Sequence, residues 1–230
     1  MSRPGAFADV TIVAYRRRAK RAAANWRRVR VPSRMLRRFV EMLPRGARVL
    51  DYGCGIGREL AWMRRQGCVV EGLDGTPEFV RAARRQCPGV AVRLARFETV
   101  RMARGRYDGI WCNAALMHVP PAELRRQLRR LRQALRPAGV LGLTLSWGRS
   151  RRAASDPSTR APASAGGPGS GLRDWIPGRY IACYSKPEVA GMLRGWVIRE
   201  LRVVSNVGRK GRWVQAIAVC VAALPSSRHA

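Results

Sequence analysis

Val49-Leu50-Asp51-Tyr52-Gly53-Cys54-Gly55-Ile56-Gly57 is the stretch that decides the fold. An apolar run ending in an acid enters three glycines at alternate positions, and a helical pattern through Leu60, Ala61 and Met63 follows. Such a strand–loop–helix turn lets a ligand approach the backbone closely and offers amides at a helix N-terminus. A dinucleotide-binding loop counted from Gly53 would carry its third glycine at position 58, where Arg58 stands. Asp51 also argues against a pyrophosphate, which a carboxylate repels, and for a cationic or hydroxyl-rich ligand. The next acid in a comparable place is Asp74, at the end of a second strand over 69–73, where both oxygens can accept ribose hydroxyls.

Working outward, strands and helices alternate. Helices are expected over 77–87 and 121–135, and further strands over 90–94, 107–112 and 140–147. Leu124, Leu128, Leu131 and Leu135 line one face of the 121–135 helix, and Arg125, Arg126, Arg129, Arg130 and Arg132 the other. A last helix over 185–193 precedes two strands, 196–204 and 213–223, joined by a turn over 206–211. The alternation predicts an α/β protein, a Rossmann-like three-layer sandwich with a parallel sheet covered on both faces. Residues 1–45 read as a basic helical arm of two helices, broken at Pro32 with Ser33 as a cap. Residues 46–224 form the main domain, with 148–172 a flexible low-complexity insertion rich in Ser, Ala, Gly, Pro and Arg, and 225–230 a tail.

The chain has 230 residues, 47% of them hydrophobic, enough for one core. Its 45 basic residues, all but three of them arginine, against 14 acidic ones leave a charge of +31. That excludes a partner chosen for being cationic and attracts polyanions without specificity. Six cysteines without a C-x-x-C pair suggest no zinc framework and fit a reducing compartment. No metal site is expected. With neither a signal-like N-terminus nor an uncharged stretch long enough to span a bilayer, a soluble, cytoplasmic protein is expected, and no membrane partner.

Asp51-x-Gly53-x-Gly55-x-Gly57, Asp74, the 107–120 run YDGIWCNAALMHVP and the 135–141 run LRPAGVL resemble, in order, the motifs of class I S-adenosylmethionine-dependent methyltransferases. The 107–120 run and Gly178-Arg179-Tyr180 with Tyr184-Ser185 are similar to a bacterial small-molecule-type subgroup. The resemblance implies a seven-stranded sheet with an antiparallel last strand and S-adenosylmethionine as cofactor. It implies that Asp51 and Gly53 hold the methionine end, with Cys54 in the same loop, while Gly55 and Gly57 allow close packing. Asp74, beside Gly75, would bind the ribose, Phe97 and Glu98 would meet the adenine, and Asn113 would lie near the transferred methyl.

Two alternatives stay open for His118, the only histidine outside the tail: a general base, or a structural hydrogen bond. Two readings stay open for Tyr180 and Tyr184: they wall the acceptor pocket, or they pack the last helix. Asn113-Ala114-Ala115-Leu116 lacks the Pro-Pro-aromatic run that accompanies methylation of base amino groups, so a small-molecule O- or N-acceptor leads. RNA or another polyanion, recruited by the 13 basic residues of the first 45 and the arginine face of 121–135, is the second reading. A non-catalytic basic nucleic-acid-binding protein is the third. Oligomeric state is not legible in the sequence.

Overall fold

The computed structural model describes residues 6–28, 30–148, 178–205 and 212–221. Seven long strands form one sheet in the order β3-β2-β1-β4-β5-β8-β7: β1 Arg48–Tyr52, β2 Val69–Asp74, β3 Ala91–Leu94, β4 Tyr107–Asn113, β5 Leu135–Trp147, β7 Trp196–Ser205 and β8 Arg212–Cys220. β1 to β5 are mutually parallel, and β8 runs antiparallel to both its neighbours, β5 and β7. The expected seven-stranded sheet with its last strand antiparallel is therefore present. A two-residue strand, β6 (Cys183–Tyr184), adds to the C-terminal end of β5. The central strands β1, β4 and β5 are buried nearly throughout, as a sheet covered on both faces requires.

Two apolar layers sandwich the sheet. One contains Phe39, Met63 and Trp111, under α3 (Arg34–Glu41), α4 (Arg58–Arg65) and α5 (Pro77–Gln86). The other contains Leu124, Leu128 and Leu131 of α6 (Pro121–Ala134) with residues of α7 (Lys186–Met192). Trp111 stands over the bare backbone of Gly142, where a Cβ would come within 2.4 Å of the indole. Ser33 caps α3 by accepting the Leu36 amide, and Ser185 closes a capping box with Glu188 on α7.

Three expectations need correction in detail. The first helical run divides at Arg18 (φ −127°, ψ 20°) into α1 (Ala6–Arg17) and α2 (Ala19–Arg27), so the N-terminal stretch holds three helices. The bend lets Tyr15 and Trp26 meet Phe79 in one aromatic cluster over the glycine loop. The fifth strand starts at Leu135, already paired with Tyr107, and Ala138 at φ +61° absorbs the irregularity before the ladder resumes at Val140. The arginine face of α6 is only partly a solvent face: Arg130 donates to the carbonyls of Phe97 and Val100 and ties the loop after β3 to the helix. The 148–172 insertion (except Gly148), the 206–211 turn and the 225–230 tail lie outside the described residues.

Candidate active site

The C-terminal ends of β1 to β4 open onto a cavity of about 400 Å³, within the range of small-molecule sites. Parallel strands bring their following loops to this edge, and the site is built from Gly53–Ile56, Asp74–Thr76, residues 95–98 and residues 113–115. Thr11, Ile12 and Tyr15 of α1 and Trp26 of α2 line it as well, as do Arg179, Ile181 and Trp213.

Gly53 turns at φ +89° with its missing Cβ 2.4 Å from Ala115 Cβ, and Gly57 turns at φ +81° with its own 3.1 Å from the Ala83 backbone. Any side chain would drive these elements apart. The loop amides do not point freely at the cavity. Gly53 and Cys54 donate to the Leu73 carbonyl, and Gly55 donates to Asp74 Oδ2 at 3.0 Å. The glycines therefore supply closeness rather than an anion nest. Asp74 also accepts the Thr76 amide at 2.8 Å, which fixes its carboxylate in the cavity wall beside Gly75. Burial raises its pKa, against the pull of these backbone N–H groups.

Asp51 lies just behind the lining, 2% exposed, and its Oδ2 has no hydrogen-bond partner. Its pKa stands well above the usual carboxylate range, first from burial and then from repulsion by Glu59 and Asp74. A buried carboxylate oxygen without a donor is costly, and a cationic ligand would relieve it. Asn113 lines the cavity, its Nδ2 donating to Glu59 Oε1 at 2.8 Å. Phe97 lines it as well, stacked on Tyr52 with centroids 4.7 Å apart, with Glu98 and Cys54 alongside. Burial keeps the Cys54 thiol protonated.

His118 sits in a short 3₁₀ turn, 7% exposed, with both ring nitrogens engaged. Its Nδ1 is 2.7 Å from the Tyr180 carbonyl, which can only accept, so Nδ1 carries the proton. Nε2 is then left to accept the Tyr15 hydroxyl at 3.0 Å, and that hydroxyl in turn accepts from Arg179 Nη1 at 2.7 Å. Burial and the Arg179 charge push the His118 pKa down to about 3. The Tyr180 side chain and Tyr184 are not in the cavity wall. Tyr184 is buried against β5, and Tyr180 contributes its backbone, its amide donating to Thr11 Oγ1. Their neighbours Arg179 and Ile181 line the cavity instead.

Sequence reasoning missed Thr11, Tyr15, Trp26, Glu59, Arg179 and Trp213. The helical stripe containing Tyr15 and Trp26 was legible, but what it packed against was not. Nothing local marked Glu59, whose partners Trp111 and Asn113 lie more than fifty residues away. Among the described residues no group of His, Cys, Asp and Glu is arranged to hold a metal, and no helix is long and apolar enough to cross a membrane.

Residues 49–139 match the model of a family described as a methyltransferase domain. Over 100 residues the chain is 36% identical to malonyl-[acyl-carrier protein] O-methyltransferase of Enterobacter lignolyticus, covering 44% of this chain and 39% of that one. Over 105 residues it is 36% identical to trans-aconitate 2-methyltransferase of Variovorax paradoxus, covering 45% and 40%. The match thus spans about two-fifths of the length of these curated relatives. A crystal structure of Burkholderia thailandensis 1,6-didemethyltoxoflavin-N1-methyltransferase, with bound 1,6-didemethyltoxoflavin and S-adenosylhomocysteine, superposes with a TM-score of 0.70 at 21% identity. That superposition covers 96% of this chain and 92% of the other. The match to the methyltransferase-domain model lies within residues 49–139, and the fold is shared with the Burkholderia thailandensis methyltransferase.

Proposed function

We propose that the chain transfers a methyl group from S-adenosylmethionine to an oxygen or nitrogen of a small-molecule acceptor. The observation that carries this reading is the shared cavity: Asp74, the glycine loop and Asn113 line the same space as Tyr15 of α1, Arg179 and Ile181. The residues present suit the cofactor. Asp74 would take the ribose hydroxyls, and Asp51, with its partnerless oxygen, and Gly53 would take the methionine end. Phe97 and Glu98 would meet the adenine, and Asn113 the region of the methyl. When bound, the cofactor supplies an electrophilic methyl on a sulfonium.

The chain's own part is alignment and exclusion of water, through which proximity supplies most of the acceleration. Tyr15, Trp26 and Phe79 cover the glycine loop, and the indole N–H of Trp213, a lining residue whose Nε1 is buried without a hydrogen-bond partner, would orient an oxygen of the acceptor. His118 is too weak a base at neutral pH to take the acceptor's proton. We assign it the positioning of Tyr15, whose hydroxyl it holds at the cavity. An oxygen acceptor accords with relatives named for malonyl-[acyl-carrier protein] O-methylation and for trans-aconitate.

RNA has less support. Arg84 and Arg130 spend their guanidinium groups on internal carbonyls, and the aromatic rings of Tyr15, Trp26 and Phe79 at the cavity pack on one another rather than forming an open stacking platform. Incubation of the protein with cell extract and methyl-labelled S-adenosylmethionine separates the readings. Label is expected in the low-mass fraction, and label confined to RNA, or none transferred, overturns this one.

A further inference from the structure

Glu59 is the third carboxylate of this neighbourhood, beside Asp51 and Asp74. It follows Arg58 at the start of α4 and lines the cavity, with each oxygen accepting one N–H: Oε1 from Asn113 Nδ2 and Oε2 from Trp111 Nε1, both at 2.8 Å. Trp111 is 1% exposed and anchored in the sheet core, so this grip is rigid. Burial raises the Glu59 pKa above the usual carboxylate range, while two N–H donors, one on each oxygen, and the neighbouring Arg58 charge pull it back toward the ionised form. Asp51 lies close enough to be repelled by it. Negative charge is thus concentrated where Asn113 faces the cavity, and an anionic or neutral ligand gains nothing from it.

We infer that Glu59 is a charge-selecting and positioning residue that lets the site tell the sulfonium of S-adenosylmethionine from the neutral thioether of the demethylated product. The inference rests on the methyltransferase reading and adds a residue and a property to it. The two ligands share adenine, ribose, ammonium and carboxylate, so Asp74 and Asp51 treat them alike. They differ by the methyl and one positive charge. A fixed carboxylate, held one side chain from the site of that charge by the amide of Asn113, attracts the first and not the second. Transfer of the methyl with its bonding pair left on sulfur removes the positive charge, so the attraction ends with the reaction and the product leaves more readily. By accepting Nδ2, Glu59 also turns the Asn113 carbonyl oxygen the other way, as an acceptor for the polarised methyl region.

Calorimetric titration of the full chain with S-adenosylmethionine and with S-adenosylhomocysteine tests this in the wild type, Glu59→Gln and Glu59→Asp. The ratio of the two dissociation constants should shift against S-adenosylmethionine by about tenfold in Glu59→Gln, the effect of one partly screened charge. Glu59→Asp, which keeps the charge, should restore most of the ratio. A Glu59→Gln protein that binds both ligands with the wild-type ratio overturns the inference, as does a Glu59→Asp protein that shifts as far as Glu59→Gln. If Glu59→Gln does not fold, Glu59→Ala takes its place: a ratio shifted against S-adenosylmethionine supports the inference, and the wild-type ratio overturns it. Wild type that binds neither ligand defeats the methyltransferase reading itself, which is a different result.

Discussion

His118 shows how one residue changes meaning once its neighbours are known. In the sequence a solitary histidine after the fourth strand invites a base. In the fold it is a neutral clamp joining the 3₁₀ turn to α1 and to the segment before β6. Its pKa, 6.5 in the unfolded chain, is pushed down to about 3 by burial and by Arg179. Between those values the unfolded chain binds a proton that the folded chain does not, so the contribution is complete above the unfolded value and is lost as pH falls. From pH 7 to pH 5 the loss should be roughly 2 kcal/mol. Asp51, Glu59 and Asp74, held above their usual range, act with the opposite sign, gaining stability as pH falls through their raised values. They are common to the wild type and His118→Gln. Urea titrations at both pH values should therefore show wild type losing about 2 kcal/mol more than His118→Gln over the interval. Equal losses would show that the imidazole is not held neutral by folding.

At the scale of elements, the sheet was readable and the lid was not. Alternation of short apolar runs with helical stripes is a local signal, and it located every long strand; the one displaced start, at Leu135, follows from Ala138 adopting a left-handed turn that no local pattern announces. The glycine loop and Asp74 were legible because their chemistry is written within a few residues. Tyr15, Trp26 and Arg179 were not, because each acquires its role from residues far along the chain. α1 is tied down by the Tyr15 hydroxyl on His118 and by Thr11 under the Tyr180 amide. Tyr15→Phe removes the first tie and leaves His118 Nε2 without its donor. Amide exchange over residues 6–17 should then accelerate by about tenfold, the worth of one such buried bond, with exchange in β1 and β4 unchanged. Unaltered exchange in α1 would mean that packing alone holds the helix.

For the molecule as a whole, a charge of +31 coexists with a cavity whose cofactor half is acidic. Part of the basic excess is structural: Arg106 and Arg48 flank Glu71, Arg136 holds Asp108, Arg64 donates to the Pro88 carbonyl and Arg84 to the Val92 carbonyl of β3. The surface charge and the site therefore carry separate messages, and the site's is the more specific, because it depends on individual carboxylates held by individual N–H groups. Equilibrium dialysis of labelled S-adenosylmethionine against the wild type and Asp74→Ala measures that message most directly. One molecule should bind per wild-type chain, and Asp74→Ala should bind at least about a hundredfold more weakly, the loss of two hydrogen bonds to a charged acceptor. No retention by the wild type, or equal retention by both proteins, would contradict the account.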